Sequence, residues 1–476
     1  MKTGRLSAVL LAAIFFAVAL VCAAQGQFPD TLAARQFSAW LDAFNSGSRA
    51  VLLQFLQTYR PSSVAHITDE MGFREQTGGF DFKKTEESTA THFAGIVKER
   101  RSDQFARFVI DVEAAEPHRI TNFNLLAIPT PAEFAIPRMG QDATLAALHA
   151  ELEKAAASDL FSGTVLIAKD GKPVFTAAYG LADREKKITN TLGTRSRIGS
   201  MNKMFTAVAV LQLVQAGKIK LSDPLGKYLT DYPNSGVAAK VTIHHLLTHT
   251  GGTGDFFGPQ FDAHRLELRT LQDYVKLYGT RGVAFEPGSR WEYSNYGFLL
   301  LGVVVEKVSG QNYYDYVAEH VYKPAGMTST GSFPEDQDVP NRSVGYTKFG
   351  GGDAWKPNTN TLPYRGTSAG GGYSTVEDLL RFANAIQNHK LLDAEHTELL
   401  TTGKVDTPNG GKYAYGFADQ SAGGVRCFGH GGGAPGMNGD LRICPQSGYV
   451  IAVLANLDPP AAQRIADFAA NRLPEK

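Results

Sequence analysis

The apolar and polar positions along this chain change character twice. Residues 6–24 are apolar or small without a break, behind the cationic Lys2 and Arg5. That pattern predicts a secretory signal, with a cleavage site at Ala23-Ala24-Gln25 and residues 1–24 removed. A retained membrane anchor is the other reading of so long a run. A lipid on Cys22 is disfavoured by the bulky Val21 before it. From Phe28 the spacing turns helical: Phe37, Trp40, Leu41 and Phe44, continued by Val51, Leu52, Phe55 and Leu56. Apolar runs at 93–98, 105–112 and 120–128, separated by polar turns, predict strands. Pro129, Pro131 and Pro137 then mark a linker. Residues 28–137 are thus expected to form a small α+β body of unspecified role, and 138–476 a larger one.

In the larger body, residues 145–156 have the pattern of an amphipathic helix. Runs at 164–168 and 174–178 flank Asp170-Gly171, a hairpin turn. A second hairpin is expected from 439–444 and 449–456 around Pro445-Gln446-Ser447-Gly448, followed by a last helix over 461–473. Residues 204–214 are apolar all round, which predicts a buried helix. Strands at both ends with helices between them imply one α/β domain whose sheet is complete only when the two ends meet.

Composition narrows the function. The 476 residues carry 47 basic and 47 acidic side chains, and 43% are hydrophobic. A chain of this composition buries a core. It has no basic surplus, in total or as a run, of the kind phosphate-mediated nucleic-acid binding requires. Loss of Lys2 and Arg5 leaves 45 basic against 47 acidic residues, still near neutral. A small-molecule or peptide substrate is the expectation. Without Cys22, Cys427 and Cys444 remain: two buried free thiols is the favoured reading, a bridge across two strands the other.

Three motifs could carry chemistry. Ser200-Met201-Asn202-Lys203 opens the apolar helix, so Ser200 and Lys203 share a face at its first turn. Backbone N–H groups there favour developing negative charge, and a buried ammonium is pushed towards the neutral form that can accept a serine proton. Tyr293-Ser294-Asn295 lies on a loop leading into a second apolar run; the phenol can shuttle a proton and the amide can hold both a lysine and a substrate carbonyl. His430-Gly431-Gly432-Gly433 offers a strand edge that a substrate backbone can lie against, with His430 as a polar or cationic group. Each has an ordinary structural reading when taken alone.

Together, Ser-x-x-Lys, Tyr-x-Asn 93 residues later and His-Gly-Gly 230 residues after the serine resemble the penicillin-recognising serine hydrolases. The resemblance is to the group of class C β-lactamases, D-alanyl-D-alanine carboxypeptidases and esterases. Further stretches share it: Phe161-Ser162-Gly163, Leu246-Leu247-Thr248-His249-Thr250-Gly251-Gly252, and Gly371-Gly372-Tyr373-Ser374-Thr375. It covers about residues 140–474. It implies an antiparallel sheet flanked by helices with a helical lobe inserted, preceded by an N-terminal α+β body that loosely resembles the NTF2-like type. It further implies Ser200 as nucleophile, Lys203 with Tyr293 as base system, Asn295, His430 and Gly432 as substrate-binding groups, and the backbone N–H groups of Ser200 and Gly433 as oxyanion hole. No cofactor or metal is implied. His430 stands where many relatives carry the lysine of Lys-Thr-Gly, which shifts weight from β-lactam turnover towards esterase or peptidase activity. A penicillin-binding or sensor-like protein that is acylated with little turnover is the alternative.

Three decoys are set aside. Gly366-Thr367-Ser368-Ala369-Gly370 matches a nucleophile elbow, but the flanking residues do not form the strand and helix that motif needs, and the His-Gly-Gly-Gly element follows rather than precedes it. His245 and His249 are four apart as in zinc helices, yet no glutamate lies between them and Gly251-Gly252 ends any helix, so a loop at the cleft rim is expected. Tyr232-Pro233-Asn234 reads as a plain turn.

Overall fold

The computed structural model describes residues 28–349, 354–408, 410–422 and 424–476. The proposed signal, including Cys22, lies outside them. Helix α1 (Leu32–Asn45) is capped by Thr31, whose hydroxyl accepts the Ala34 N–H. The helical spacing of residues 37–56 breaks at Ser46-Gly47-Ser48, where Gly47 takes a left-handed φ of 67° and Ser48 caps α2 (Arg49–Tyr59). Helix α3 (Ile67–Thr77) follows, then the antiparallel meander β1 (Phe80–Ser88), β2 (His92–Glu99), β3 (Phe105–Val112) and β4 (Ile120–Ile128). Neither α3 nor β1 was foreseen. Only Ile67 and Thr77 of α3 are buried, and β1 alternates apolar and polar residues for one turn of the pleat before its charges begin. These residues have their own core, dominated by rings: Phe37 stacks on Phe108 at 3.7 Å and Trp40 on Phe44 at 5.0 Å.

The larger body begins with α4 (Gln141–Ala157) and the expected hairpin β5 (Gly163–Lys169) and β6 (Lys172–Tyr179). A short strand β7 (Ser196–Gly199) leads into the buried helix α5 (Asn202–Gln215). Helical segments follow, among them α6 (Ile243–Leu247) and α7 (Asn295–Ser309), before β8 (Gly372–Ser374) returns to pair with β7. Helix α8 (Val376–Gln387), strands β9 (Val405–Asp406), β10 (Lys412–Tyr413), β11 (Ala418–Ala422), β12 (Val425–Ala434), β13 (Met437–Cys444) and β14 (Tyr449–Ala455), and helix α9 (Ala461–Arg472) complete the chain.

The main sheet is antiparallel with order β9-β10-β11-β12-β13-β14-β5-β6, so its first hairpin joins the rest only through β14 against β5. Period-two geometry explains the sharing of its faces. Val165 and Ile167 of β5 belong to the core shared with α4 and α9, whereas Leu166 and Ala168 belong to the core shared with α5, α7 and α8. Among the described residues, no helix is long and apolar enough to cross a membrane.

Cys427 and Cys444 are joined by a disulfide, which corrects the free-thiol expectation. Phe428 pairs with Ile443 across β12 and β13, so the next positions outward, 427 and 444, face each other. The linked residues are 17 apart. A closed loop of that size is worth about 3 kcal/mol in the chain-entropy treatment. Reduction is expected to lower the urea-unfolding free energy by about that amount while leaving active-site labelling intact, because the two cysteines cluster with Val425 at the outer end of the β12–β13 pair.

Candidate active site

The polypeptide turns sharply at the end of β7. Gly199 has φ of 50°, and a Cβ there would lie 3.0 Å from the backbone nitrogen of Gly433. A Cβ on Gly432 would come within 1.9 Å of the Ile198 carbonyl oxygen. Both glycines are needed so that β12 can lie against β7, which brings the Gly433 N–H beside the residue preceding Ser200. Ser200 is half-buried immediately before the N-terminus of α5, and its carbonyl accepts the Lys203 N–H at 3.0 Å.

Lys203 is fully buried. Its Nζ lies 3.2 Å from Ser200 Oγ, 2.7 Å from Asn295 Oδ1 and 2.6 Å from the Ala369 carbonyl oxygen. Burial pulls its pKa from 10.5 down to about 7, with the Asp255 carboxylate pulling weakly the other way. About half of the lysine is therefore neutral at pH 7, and that fraction rises with pH. A neutral amine has two N–H donors and one lone pair. Two of its three neighbours are carbonyl oxygens that can only accept, so the lone pair is left facing the Ser200 hydroxyl.

Tyr293 packs against the same group, its ring centroid 4.7 Å from Nζ, and its phenol interacts with the Ser200 side chain. Burial raises the phenol above its ordinary value, so it is a protonated donor at the pH where Lys203 is already a free base. Asn295 is the first residue of α7, whose cap is Ser294. His249 supports this segment from behind: Nδ1 accepts the Ser294 N–H at 3.1 Å, and the ring lies 4.3 Å from that of Tyr293. It is 1% exposed, which corrects the expectation of a rim loop. The turn after α6 carries the ring inwards, with His249 itself at φ 60°.

His430 is on β12, with its ring 6.4 Å from that of Tyr293. Both ring nitrogens are occupied. Nδ1 lies 2.5 Å from the Gly431 carbonyl oxygen, which can only accept, and Nε2 lies 3.0 Å from Tyr413 Oη. This fixes the Nδ1–H tautomer, with the tyrosine donating to Nε2. Burial, and secondarily the nearby Lys203 charge, push the pKa down to about 4. His430 is a neutral polar group here, and the cationic option considered from sequence does not apply at neutral pH.

All seven candidate residues thus meet, and three groups absent from the sequence reading join them. Ala369 contributes a main-chain oxygen, Tyr413 caps His430, and Asp255 Oδ2 accepts from Asn295 Nδ2 at 2.7 Å. The Ser368 decoy belongs to the loop supplying Ala369. Its side chain is fully buried and donates to the Leu299 carbonyl, while its own carbonyl accepts from Thr206 Oγ1 at 2.7 Å. Tyr232-Pro233-Asn234 is a turn in which Asn234 caps the helix Ser235–Lys240. Two cavities, of about 490 and 800 Å³, lie between residues of the N-terminal body and those of the larger one, and neither is lined by Ser200. No group of three or more potential metal-ligating side chains occurs among the described residues.

A serine beside a buried lysine of lowered pKa, at the start of a helix within an antiparallel α/β architecture, is the arrangement of a serine hydrolase. Residues 148–475 match the family model described as Beta-lactamase, and the chain belongs to that family. Penicillin-binding protein 4* of Bacillus subtilis (strain 168) is 30% identical over 294 residues, which are 58% of this chain and 64% of that protein. A penicillin binding protein from Bacillus halodurans is 36% identical, with a TM-score of 0.61 covering 68% of this chain and 98% of that one. A D-stereospecific amidohydrolase from Streptomyces sp. is 29% identical, with a TM-score of 0.58 over 68% of this chain and 97% of that one.

Proposed function

We propose that the protein is an exported hydrolase of esters or D-configured amides, working through an acyl-enzyme on Ser200. The observation that carries this reading is the Lys203 environment: an amine with its two N–H groups committed to carbonyl oxygens and its lone pair towards the serine. In acylation, Ser200 Oγ attacks the substrate carbonyl carbon while its proton passes to Lys203 Nζ. The carbonyl oxygen becomes an oxyanion facing the N–H groups of Ser200 and Gly433, each worth on the order of 3 kcal/mol in such a role. Collapse breaks the bond to the leaving group, which takes the proton from Lys203 with Tyr293 as relay. Water then repeats the sequence on the acyl-enzyme and frees the acid. Asn295 uses its remaining N–H to orient the substrate.

The neutral state of His430 supports esters and amides over β-lactams, whose carboxylate calls for a fixed positive charge. The likeness to a D-stereospecific amidohydrolase supports D-configured amides within that class. Export is supported by the N-terminal apolar run and by the Cys427–Cys444 disulfide, a bond that persists in oxidising compartments. Residues 28–137 are proposed as an accessory body held on the hydrolase by Asp103–Arg472 and Glu75–Lys348 ion pairs at 2.6 and 2.7 Å.

Multiple turnovers of p-nitrophenyl acetate and of a D-amino-acid p-nitroanilide are expected, with nitrocefin hydrolysed far more slowly. One equivalent of released chromophore followed by no turnover would overturn the hydrolase reading and leave a protein that is only acylated.

A further inference from the structure

Asn295 joins two groups of opposite demand. Its Oδ1 faces Lys203 Nζ at 2.7 Å, and its Nδ2 faces Asp255 Oδ2 at 2.7 Å. A side-chain amide can in principle turn over and exchange its oxygen and nitrogen. Here one neighbour forbids it. An ionised carboxylate only accepts hydrogen bonds, so the amide must present N–H to Asp255, and its oxygen then necessarily points at the lysine.

The consequence reaches the serine. With the oxygen towards Lys203, the amide takes one lysine N–H, as does Ala369, and the lone pair is left for Ser200. With the amide reversed, an N–H would point at Nζ and compete with Ser200 for that lone pair. Asp255 is itself held: Oδ1 accepts the Phe256 and Phe257 N–H groups at 2.7 and 3.1 Å, and its carbonyl accepts from Arg281. Its carboxylate therefore cannot rotate away from Asn295 without breaking the turn.

We infer that Asp255 is a positioning residue of this hydrolase, locking the Asn295 amide so that the lone pair of Lys203 is directed at Ser200. The inference rests on the proposed base role of Lys203 and extends it to a carboxylate that touches neither the serine nor the lysine through a hydrogen bond. The groups around Lys203 leave a clean readout. Burial displaces Tyr293 towards its protonated form, and His249 and His430 towards their neutral forms, so each is moved away from the range in which Lys203 titrates. The rise of acylation rate with pH then belongs to Lys203, and Asp255 is the charge that holds that rise at higher pH.

The test is the pH profile of labelling by a fluorophosphonate, whose own ionisation does not change over this range. Asp255→Asn retains an oxygen for the Phe256 and Phe257 N–H groups and removes the charge. Its acid limb is expected to move to lower pH, the direction set by losing a nearby negative charge. Its plateau rate is expected to fall about tenfold or more, a part of the roughly hundred- to ten-thousandfold that a general base contributes. In an Asn295→Ala background the same substitution should change the plateau less than about twofold, since the amide through which it acts is gone. Asp255→Ser, which also keeps a hydrogen-bond acceptor, should repeat both effects. A wild-type limb and plateau in both Asp255 variants would overturn the inference, as would an undiminished effect in the Asn295→Ala background. Failure of the underlying reading looks different: there Lys203→Met would itself label at the wild-type rate.

Discussion

Replacing Lys203 with methionine is expected to slow acylation by a fluorophosphonate about a thousandfold while leaving a folded protein whose stability climbs less with pH. The rate effect follows from removing the base whose lone pair faces Ser200, since Tyr293 is held protonated and His430 has both nitrogens engaged. The stability effect has a defined sign. Below pH 7 the lysine is charged in both states, and the folded protein bears the full cost of burying it. Above pH 10.5 it is neutral in both states and the cost is absent. Between these values the unfolded chain holds more protons, so the wild type becomes more stable as pH rises. From pH 7 to pH 9 this amounts to about 2 kcal/mol, and the methionine variant lacks it. Urea unfolding of the two proteins at several pH values checks this. Parallel stability curves would show that Lys203 is not titrating in the folded state near pH 7.

The second large effect is expected at Ser200. Ser200→Ala should lower turnover of a p-nitrophenyl ester by roughly four to six orders of magnitude, as removal of a nucleophile does in other serine hydrolases. The fold should be unaffected, because Ser200 is half-buried and its backbone, rather than its side chain, makes the bond to the Lys203 N–H. Ser368→Ala should leave turnover unchanged. Its hydroxyl is fully buried under α7, where a Cβ on Gly302 would already come within 2.3 Å of it, and no substrate carbonyl can reach that position.

The contrast between these serines shows what the sequence could and could not display. Ser200 was legible because its partner lies three residues away on one helix, and because an apolar helix with a lysine in its first turn has to account for a buried charge. The hairpins around Asp170-Gly171 and Pro445–Gly448 were legible because apolar runs flank short polar turns. The break in the first helix was not, since Ser46-Gly47-Ser48 interrupts a heptad-like spacing that resumes almost in phase. The inner parts of the site were hidden for a different reason. Asp255 acts on a residue 40 positions away, the Ala369 oxygen is a main-chain group with no side-chain signature, and Tyr413 belongs to a two-residue strand. The disulfide depended on the register of β12 against β13, which spacing alone leaves open. His249 kept its place in a recognisable motif, but only the left-handed turn at that residue reveals that its ring faces inwards.

The claim at the centre is that one serine, Ser200, carries the acyl group. Intact-mass measurement after fluorophosphonate treatment, with peptide mapping of the adduct, addresses it directly. The expected result is a single adduct on Ser200 in the wild type, lost in Ser200→Ala and kept in Ser368→Ala. An adduct that maps to Ser368, or one that persists in Ser200→Ala, would contradict it.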